Sequence, residues 1–309
     1  MDKKPRMLTW ADFTPDFPVW KLHPAGCMLA TRELAPGVYA LISSIPGVDN
    51  AGFVVGDKGV LVIDAHISIP MARQIQERVR QVTDKPLLYL VNSNYHGDHT
   101  FGNCAFPQQT LVIQQRETAA RTPYLDEEMA FLLPAVGNDR GVFDGVTLRL
   151  PDIVFDDCLR IDLGGRIVEI RWFGPANTPG DTITYVPGAR VAWTGNMTGG
   201  SFGLALESDA PAFLGTLTRL IQTIDIETLI PGHSAPLNPP DLWLYMLYFS
   251  RLTNDMKKAL GDGWTLEEAL DRIPMGREFA LPPSDPRAPF MEGRHRYNVR
   301  RTYLSLKGA

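Results

Sequence analysis

The chain has 309 residues, of which 44% are apolar and 21% are charged, and its formal net charge at pH 7 is −5. This composition is typical of a soluble globular protein and argues against a disordered chain. The acidic balance argues against a nucleic-acid partner, which would require clustered Lys and Arg. No apolar run approaches the about 20 residues of a membrane span. We therefore expect neither nucleic acid nor a membrane as a partner, and the composition leaves the oligomeric state open.

The targeting and redox signals both indicate the cytoplasm. The chain begins with MDKKPRMLTWADFTPDF, which carries positive charge but no apolar stretch of signal-peptide length. The three cysteines, Cys27, Cys104 and Cys158, lack CxxC spacing and fit free thiols in a reducing compartment. We expect a cytoplasmic protein in which these cysteines are small buried residues.

The first half of the chain predicts a sheet with one helix. Residues 1–36 are expected to form an arm laid over the body, because Trp, Pro and Phe occur there without a period. GVYALISS, GFVVG and GVLVID predict successive strands, followed by a helix that has Pro70 near its start. LLYLVN, residues 87–92, predicts a buried strand. The histidine-rich segment after it lies at the carboxyl end of that strand, where ligands bind in open α/β sheets.

The second half predicts another group of strands and then helices. Residues 110–113 read as a strand, and residues 117–140 form a stretch long enough for a lid, whose apolar residues face either a substrate or the sandwich. VTLRL, RIVEIRWF, TITYV and RVAWTG predict strands, and TLIPGH predicts a last short strand and loop. Helices are expected at 241–260, 265–272 and 291–306. We therefore expect a main domain at 37–240 and a helical segment at 241–309 packed on it.

One short segment contains most of the candidate metal-binding residues. It runs from Asn94 to His99 as Asn-Tyr-His-Gly-Asp-His, so that two imidazoles and a carboxylate fall within four residues just past a strand. Gly97 gives the backbone the freedom for a tight turn that aims these side chains in different directions. Histidine and aspartate are good ligands for Zn²⁺. The pattern favours a metal site over the alternative, a capped turn with surface histidines.

Five motifs in chain order resemble those of the metallo-β-lactamase superfamily, whose signature is His-x-His-x-Asp-His after a strand of the first half. They lie within residues 37–235 and are GFVVGDKGVLVIDAH, VNSNYHGDHTFGN, GPANTPGDT, VAWTGN and LIPGH. The resemblance implies an α/β fold, an αββα sandwich with a one- or two-metal site at one edge. It also implies a metallohydrolase of the glyoxalase-II-like type, acting on a small ester, thioester, lactone or amide.

The resemblance further implies which residues hold metal. The first metal site of the family falls on Asn94, His96 and Asn177, so only one imidazole of that site is present. An amide oxygen is a neutral ligand suited to hard ions, and the first site should therefore be the weaker one.

The second metal site falls on Asp98, His99 and His233, all of the family's residue types, and the bridging aspartate falls on Asn196. We therefore expect one tightly held Zn²⁺, with a second ion weak or absent. Asn196 and His96 are the possible ligands of any bridged or second ion.

The residues freed from metal binding acquire other expected roles. His96 could act as a general base or proton shuttle, because an ordinary imidazole titrates near pH ~6.5. Asn94 and Asn177 could donate amide hydrogens to a developing oxyanion.

Three further side chains are expected to support the site. Asp64, at the end of GVLVID, would orient a ligand or cap the following turn. His66 would either replace a missing imidazole or form local hydrogen bonds, and Asp181 would brace the second ligand loop.

Three functions follow from this reading. The first is a hydrolase with a mononuclear zinc site. The second is a binding protein without catalysis that has kept a degenerate metal site. The third is a non-haem iron oxygenase, because Asp98, His99 and His233 are the two imidazoles and one carboxylate that such enzymes use.

Overall fold

Two β-sheets packed face to face form the centre of the fold. The computed structural model describes residues 4–15 and 17–308. Within these residues the first sheet has seven strands, which lie side by side in chain order. They are β1 (Leu29–Ala35), β2 (Val38–Ser43), β3 (Ala51–Val55), β4 (Val60–Ile63), β5 (Leu87–Val91), β6 (Leu111–Gln115) and β7 (Ile153–Phe155). The strands β4 to β7 are parallel, and β1 to β4 are antiparallel.

The second sheet has five strands in the described part of the chain, in the order β12-β11-β10-β9-β8. Its members are β8 (Cys158–Asp162), β9 (Ile167–Trp172), β10 (Thr182–Val186), β11 (Val191–Gly195) and β12 (Thr228–Pro231). The pair β11 and β12 is parallel, and the others are antiparallel. Every residue of β10 and β11 is buried, because both faces of these strands are covered.

The facing surfaces of the two sheets make the central core. Val54 and Ile63 of the first sheet pack in one cluster with Ile170 and Trp193 of the second sheet. The β-branched and aromatic residues that predicted these strands are therefore the residues buried between them.

Helices cover the outer faces of both sheets. The helix α1 (Ile69–Arg80) begins after Ser68, whose side chain accepts a hydrogen bond from the N–H of Met71, and it buries Ile75 and Val79 against the first sheet. The remaining helices are α2 (Gly97–Thr100), α3 (Arg116–Arg121), α4 (Leu125–Leu132), α5 (Ala210–Thr223), α6 (Pro239–Gly261), α7 (Leu266–Arg272) and α8 (Ala288–Lys307). Helices α5, α6 and α8 pack over the second sheet. The layers are therefore α, β, β, α, which confirms the expected fold class.

Three expectations need correction. The run VTLRL at 146–150, expected as a strand, has no regular secondary structure, and the next strand begins at Ile153. The stretch Leu29–Ala35, expected within an irregular arm, is the edge strand β1 and pairs with β2. Four consecutive residues in its middle are exposed, so the strand has no alternating apolar pattern. Cys158 is exposed and Cys104 is only half-buried, whereas Cys27 is buried as expected. The three C-terminal helices lie where they were expected. No helix in residues 4–15 and 17–308 combines the length and apolarity needed to cross a bilayer.

The segment before β1 covers the region between α4 and α8 with aromatic side chains. The indole N–H of Trp10 donates a hydrogen bond of 2.8 Å to the carbonyl of Phe131 in α4. The ring centroid of Phe13 lies 4.8 Å from that of Tyr297 in α8 and 6.0 Å from that of Phe131. The expected arm therefore forms an aromatic cover, in which Trp10 and Phe13 pack on Phe131 and Tyr297.

Candidate metal centre

The candidate metal centre lies at one edge of the sandwich, where several strands end. Asp98 and His99 are in α2, the short helix that follows β5, and His233 lies two residues past β12. Asp64 comes directly after β4, and Asn196 directly after β11. The strands β4 and β5 are parallel neighbours, as are β11 and β12, so their carboxyl ends meet at a common edge. Both sheets therefore contribute side chains to one place.

The three residues expected to hold the ion come together with a fourth. Nε2 of His233 lies 3.3 Å from Oδ2 of Asp98, and Nε2 of His99 lies 3.8 Å from the same oxygen. Asp49, in the loop before β3, places Oδ1 3.2 Å from Nδ1 of His233 and 3.9 Å from Nε2 of His99. One nitrogen or oxygen atom from each of the four residues lies within 4.8 Å of the corresponding atoms of the others.

Several buried oxygens of this cluster have no hydrogen-bond donor. Both carboxylate oxygens of Asp49 and Oδ1 of Asp98 are buried, and they accept no hydrogen bond from the described residues. An unpaired buried carboxylate is costly, and buried charges are usually paired or bound to metal. Two imidazoles and carboxylate oxygens at these separations form a donor set that suits Zn²⁺. The residues present therefore fit a divalent ion.

His99 is oriented by a carboxylate behind it. Its Nδ1 lies 3.0 Å from Oδ2 of Asp64, and Asp64 also accepts hydrogen bonds from the backbone N–H and the hydroxyl of Ser93. On the other side of the ring, Nε2 lies 3.0 Å from Oδ1 of Asn196. A neutral imidazole has a single N–H, and with this N–H directed at Asp64 the lone pair of Nε2 faces oxygen atoms. A cation at Nε2 would remove the repulsion between this lone pair and the oxygen atoms. Metal sites in which a carboxylate supports the histidine ligand have the same arrangement.

The charges of the cluster shift its ionisation strongly. Burial opposes the charged form of His99, but Asp64, Asp98 and Asp49 outweigh burial and raise the pKa of His99 well above its ordinary value. Burial also disfavours the charged form of Asp98, yet the imidazoles of His99 and His233 hold the pKa of Asp98 far below its ordinary value. For Asp49, burial and the charge of Asp98 both raise the pKa. The proton of His99 therefore balances part of the carboxylate charge, and a cation at Nε2 would take that role.

The positions of the family's first metal site are polar, buried and only partly paired. Oδ1 of Asn94 accepts the N–H of His96 at 2.9 Å, and its Nδ2 has no partner among the described residues. Nδ2 of Asn177 donates to the carbonyl of Leu204 at 2.8 Å, which leaves Oδ1 without a partner in the described chain. Asn94 thus offers a free amide donor. For Asn177 the orientation differs from the expectation, because it presents its carbonyl oxygen.

His96 is held by an acidic residue that the sequence pattern did not reveal. Nδ1 of His96 lies 2.8 Å from Oε1 of Glu128, and the same oxygen accepts the N–H of Gly97 at 3.1 Å. Burial would lower the pKa of His96, but the charge and hydrogen bond of Glu128 together with the charges of Asp98 and Glu207 outweigh burial, and the pKa is raised. Nε2 of His96 is buried and has no partner among the described residues. The ring of Phe131 stacks on the imidazole at a centroid distance of 5.9 Å.

His66 and Asp181 have local roles in the structure. Nδ1 of His66 accepts the N–H of Ile67 at 3.1 Å, and Nε2 lies 3.0 Å from the backbone carbonyl of Asp49. With both nitrogens occupied, His66 is not available as a replacement ligand, and burial lowers its pKa to about 4. Asp181 accepts a hydrogen bond from the N–H of Thr178 and so braces the second ligand loop. Burial raises the pKa of Asp181 to about 7.

Access to the cluster is one-sided. The side chain of His233 is 26% exposed, and that of Asp49 is fully buried. Asn196 is half-buried, whereas Asn94, His96 and Asn177 are buried. Solvent therefore reaches the site from the side of the second sheet, near the loops after β11 and β12.

The family and structural comparisons agree with this geometry. The model of the metallo-beta-lactamase superfamily matches residues 45–233. The stereoselective inverting sec-alkylsulfatase Pisa1 from Pseudomonas sp. superposes with a TM-score of 0.65 at 18% sequence identity, covering 89% of this chain and 50% of that chain. A metallo-beta-lactamase from Pontibacter korlensis gives a TM-score of 0.56 at 16% identity, covering 72% of this chain and 99% of that chain. A metallo-beta-lactamase from Pseudomonas aeruginosa in its mono-zinc form gives a TM-score of 0.54 at 15% identity, covering 72% of this chain and 96% of that chain.

The chain belongs to the metallo-β-lactamase superfamily, which confirms the resemblance carried by its five motifs. It spans about half the length of the alkylsulfatase structures that it matches. Sequence identities between 15% and 18% show a shared fold with these structures.

Proposed function

We propose that the chain is a metal-dependent hydrolase that binds one divalent ion through Asp98, His99 and His233 and cleaves a small ester, thioester, lactone or amide. The observation that carries this proposal is the convergence of these three side chains from two sheets around buried carboxylate oxygens that accept no hydrogen bond from the described residues. Structural binding sites usually close the coordination shell, whereas three protein ligands leave a position open for chemistry. Zn²⁺ is the ion that this donor set favours.

The residues around the ion have separate roles in the proposed reaction. A bound divalent ion would supply a Lewis acid that polarises a carbonyl and lowers the pKa of a bound water. Asp64 holds the ring of His99 in the orientation that keeps Nε2 available, at an Nδ1 to Oδ2 distance of 3.0 Å. The free Nδ2 of Asn94 is an amide donor for a developing oxyanion.

His96 is the residue we assign to proton transfer. Glu128 accepts the hydrogen of Nδ1 at 2.8 Å, so the opposite nitrogen is directed away from Glu128 and has no partner in the described chain. A histidine fixed on one side and free on the other is the arrangement that a general base or proton shuttle needs. Stacking on Phe131 keeps the ring in place.

Metal content and hydrolysis together test the proposal. Protein purified without added metal is analysed for zinc and iron, and it is assayed against a panel of esters, thioesters, lactones, amides and a secondary alkyl sulfate. We expect about one zinc per chain and hydrolysis of at least one member. Asp98→Asn should lose both zinc and hydrolysis. His96→Ala should keep the zinc and lose about 10²–10⁴-fold in rate, which is the usual range for a proton-transfer residue.

His23→Ala is the matched control, because His23 is a surface histidine paired with Asp139 at 3.2 Å. It should leave zinc content and rate unchanged. Protein without zinc and without hydrolysis would favour the alternative of a binding protein. Iron in place of zinc would favour the oxygenase alternative, and hydrolysis that survives Asp98→Asn would refute the proposed site.

A further inference from the structure

The loop between β2 and β3 contributes a side chain to the metal centre that the family motifs do not include. Asp49 is fully buried, and neither of its carboxylate oxygens accepts a hydrogen bond from the described residues. Its Oδ1 lies 3.2 Å from Nδ1 of His233 and 3.9 Å from Nε2 of His99, and the residue forms one close group with Asp98 and these two histidines. A buried carboxylate without a partner is expensive unless it meets a cation.

The loop is fixed so that this carboxylate stays at the centre. The backbone N–H of the next residue, Asn50, donates to the carbonyl of Gly232 at 2.6 Å. The amide Nδ2 of Asn50 donates to the carbonyls of Pro231 and Ser234, both at 2.8 Å. These bonds join the loop of Asp49 to the loop of His233 on both sides of the histidine.

His66 holds the same loop from the first sheet. Its Nε2 lies 3.0 Å from the backbone carbonyl of Asp49, and the residue has a φ of 71°, a left-handed conformation that costs energy for a side chain of this size. Backbone strain of this kind is retained where the surroundings require the conformation. Here it places a donor against the carbonyl of Asp49.

A supporting role for Asp49 behind His233 does not account for its position. Nδ1 of His233 donates its hydrogen to the carbonyl of Gly47 at 2.9 Å, so that nitrogen already has its acceptor. Oδ1 of Asp49 lies 3.2 Å from the same nitrogen without forming an aligned hydrogen bond. The carboxylate therefore accepts no hydrogen bond in the described chain, although Nδ1 of His66 lies 3.9 Å from its Oδ2. The space that it shares with Asp98, His99 and His233 is where a cation would lie.

We propose that Asp49 is a fourth protein ligand of the ion and restores the negative charge that the site lacks at Asn196. The inference rests on the proposed function, because it requires the ion held by Asp98, His99 and His233. The ligand set then contains two imidazoles and two carboxylates, and a bound water or substrate would be the fifth ligand, a coordination number that catalytic zinc sites can reach. His66 and Asn50 act as positioning residues for the loop of Asp49.

Metal affinity and the spectrum of a cobalt-loaded protein test the inference without using activity. Metal-free protein is titrated with Zn²⁺ in competition with a chromophoric chelator, and separately with Co²⁺ while the visible d–d absorption is recorded. Asp49→Asn should weaken Zn²⁺ binding by more than about 100-fold and change the position and intensity of the Co²⁺ bands, because a neutral amide oxygen replaces an anionic ligand.

Asp64→Asn is the matched control, since Asp64 is an equally buried carboxylate that contacts His99 from behind. It should weaken Zn²⁺ by about 10–100-fold, as residues supporting a ligand do, and leave the Co²⁺ band positions unchanged. Asp49→Ser provides the same test if the Asn variant does not fold, and a thermal melt of each metal-free variant checks folding.

The possible failures are distinguishable. If Asp98→Asn abolishes Zn²⁺ binding while Asp49→Asn leaves affinity and the Co²⁺ spectrum as in the native chain, the role of Asp49 is refuted and the proposed metal site stands. If Asp49→Asn resembles Asp64→Asn in both measurements, Asp49 supports a ligand and does not bind the ion. If the native chain binds neither ion, both proposals fail.

Discussion

Oδ2 of Asp64 lies 3.0 Å from Nδ1 of His99, and the two side chains are buried together behind the metal centre. This contact selects which nitrogen of His99 is available to an ion. Because Asn can accept the same hydrogen bond but carries no charge, Asp64→Asn should lower Zn²⁺ affinity by about 10–100-fold while the chain stays folded. Competition titration measures the affinity. An unchanged affinity would mean that Asp64 serves only to cap the turn after β4.

Asp49→Asn should stabilise the metal-free chain. Burial and the charge of Asp98 raise the pKa of Asp49, so the folded state disfavours its ionised form. An acid with a raised pKa loses folding free energy as pH rises, and the neutral amide removes that loss. We expect a gain of about 1–3 kcal/mol in the free energy of unfolding, larger at pH 8 than at pH 5.

Urea titration of metal-free protein at the two pH values measures this gain. When Zn²⁺ is in excess, the variant should instead be less stable than the native chain, because the native chain would then gain more binding free energy than the variant. Equal stability of the native chain and the variant at both pH values, without and with Zn²⁺, would show that Asp49 is not under electrostatic strain.

Asp181 predicts a pH dependence that does not involve the ion. Burial raises its pKa from 3.8 to about 7. Between these values the unfolded chain has released the proton that the folded chain still holds, so the contribution of Asp181 to stability falls as pH rises from about 4 to about 7 and then levels off. Relative to Asp181→Asn, metal-free native protein should lose about 3 kcal/mol between pH 5 and pH 8. Chemical denaturation of both proteins across this range measures the difference, and parallel curves would contradict it.

The aromatic cover should contribute to global stability. Phe13 is buried and stacks on Tyr297 at a centroid distance of 4.8 Å. Removing a buried ring leaves a cavity, and Phe13→Ala should lower the free energy of unfolding by about 3 kcal/mol. Trp243→Ala is the control, because Trp243 is 59% exposed on α6 and its loss should cost less than about 0.5 kcal/mol. If both variants unfold at the same urea concentration as the native chain, the cover is not part of the cooperative unit.

The fold could be predicted from the sequence because strand patterns and family motifs occur in the order that the sandwich requires. The runs that form β4, β5 and β11 are short and mostly apolar, and a polar residue follows each of them, namely Asp64, Asn92 and Asn196. The edge strand β1 could not be predicted in this way, since most of its side chains face solvent and carry no apolar alternation.

The site was predictable only where chemistry is concentrated in sequence or where a family motif marks a residue, as LIPGH marks His233. His96, Asp98 and His99 stand together, but Asp49 is a single acid in the loop before β3. It comes near His233, which follows β12, only because the two sheets pack against each other. Glu128 follows two other acids at the start of α4, where acidic residues are common for electrostatic reasons. The orientation of Asn177 depends on the carbonyl of Leu204, a partner that only the folded chain brings within reach.

The two sheets reach the metal centre from opposite sides, with α2 following a strand of the first sheet and His233 following a strand of the second. A bound ion would therefore be a cross-link between the two sheets at one edge of the sandwich. Amide hydrogens of the loops after β5 and β12 should then exchange more slowly when the ion is present, so that the mobility of this edge would depend on the supply of metal.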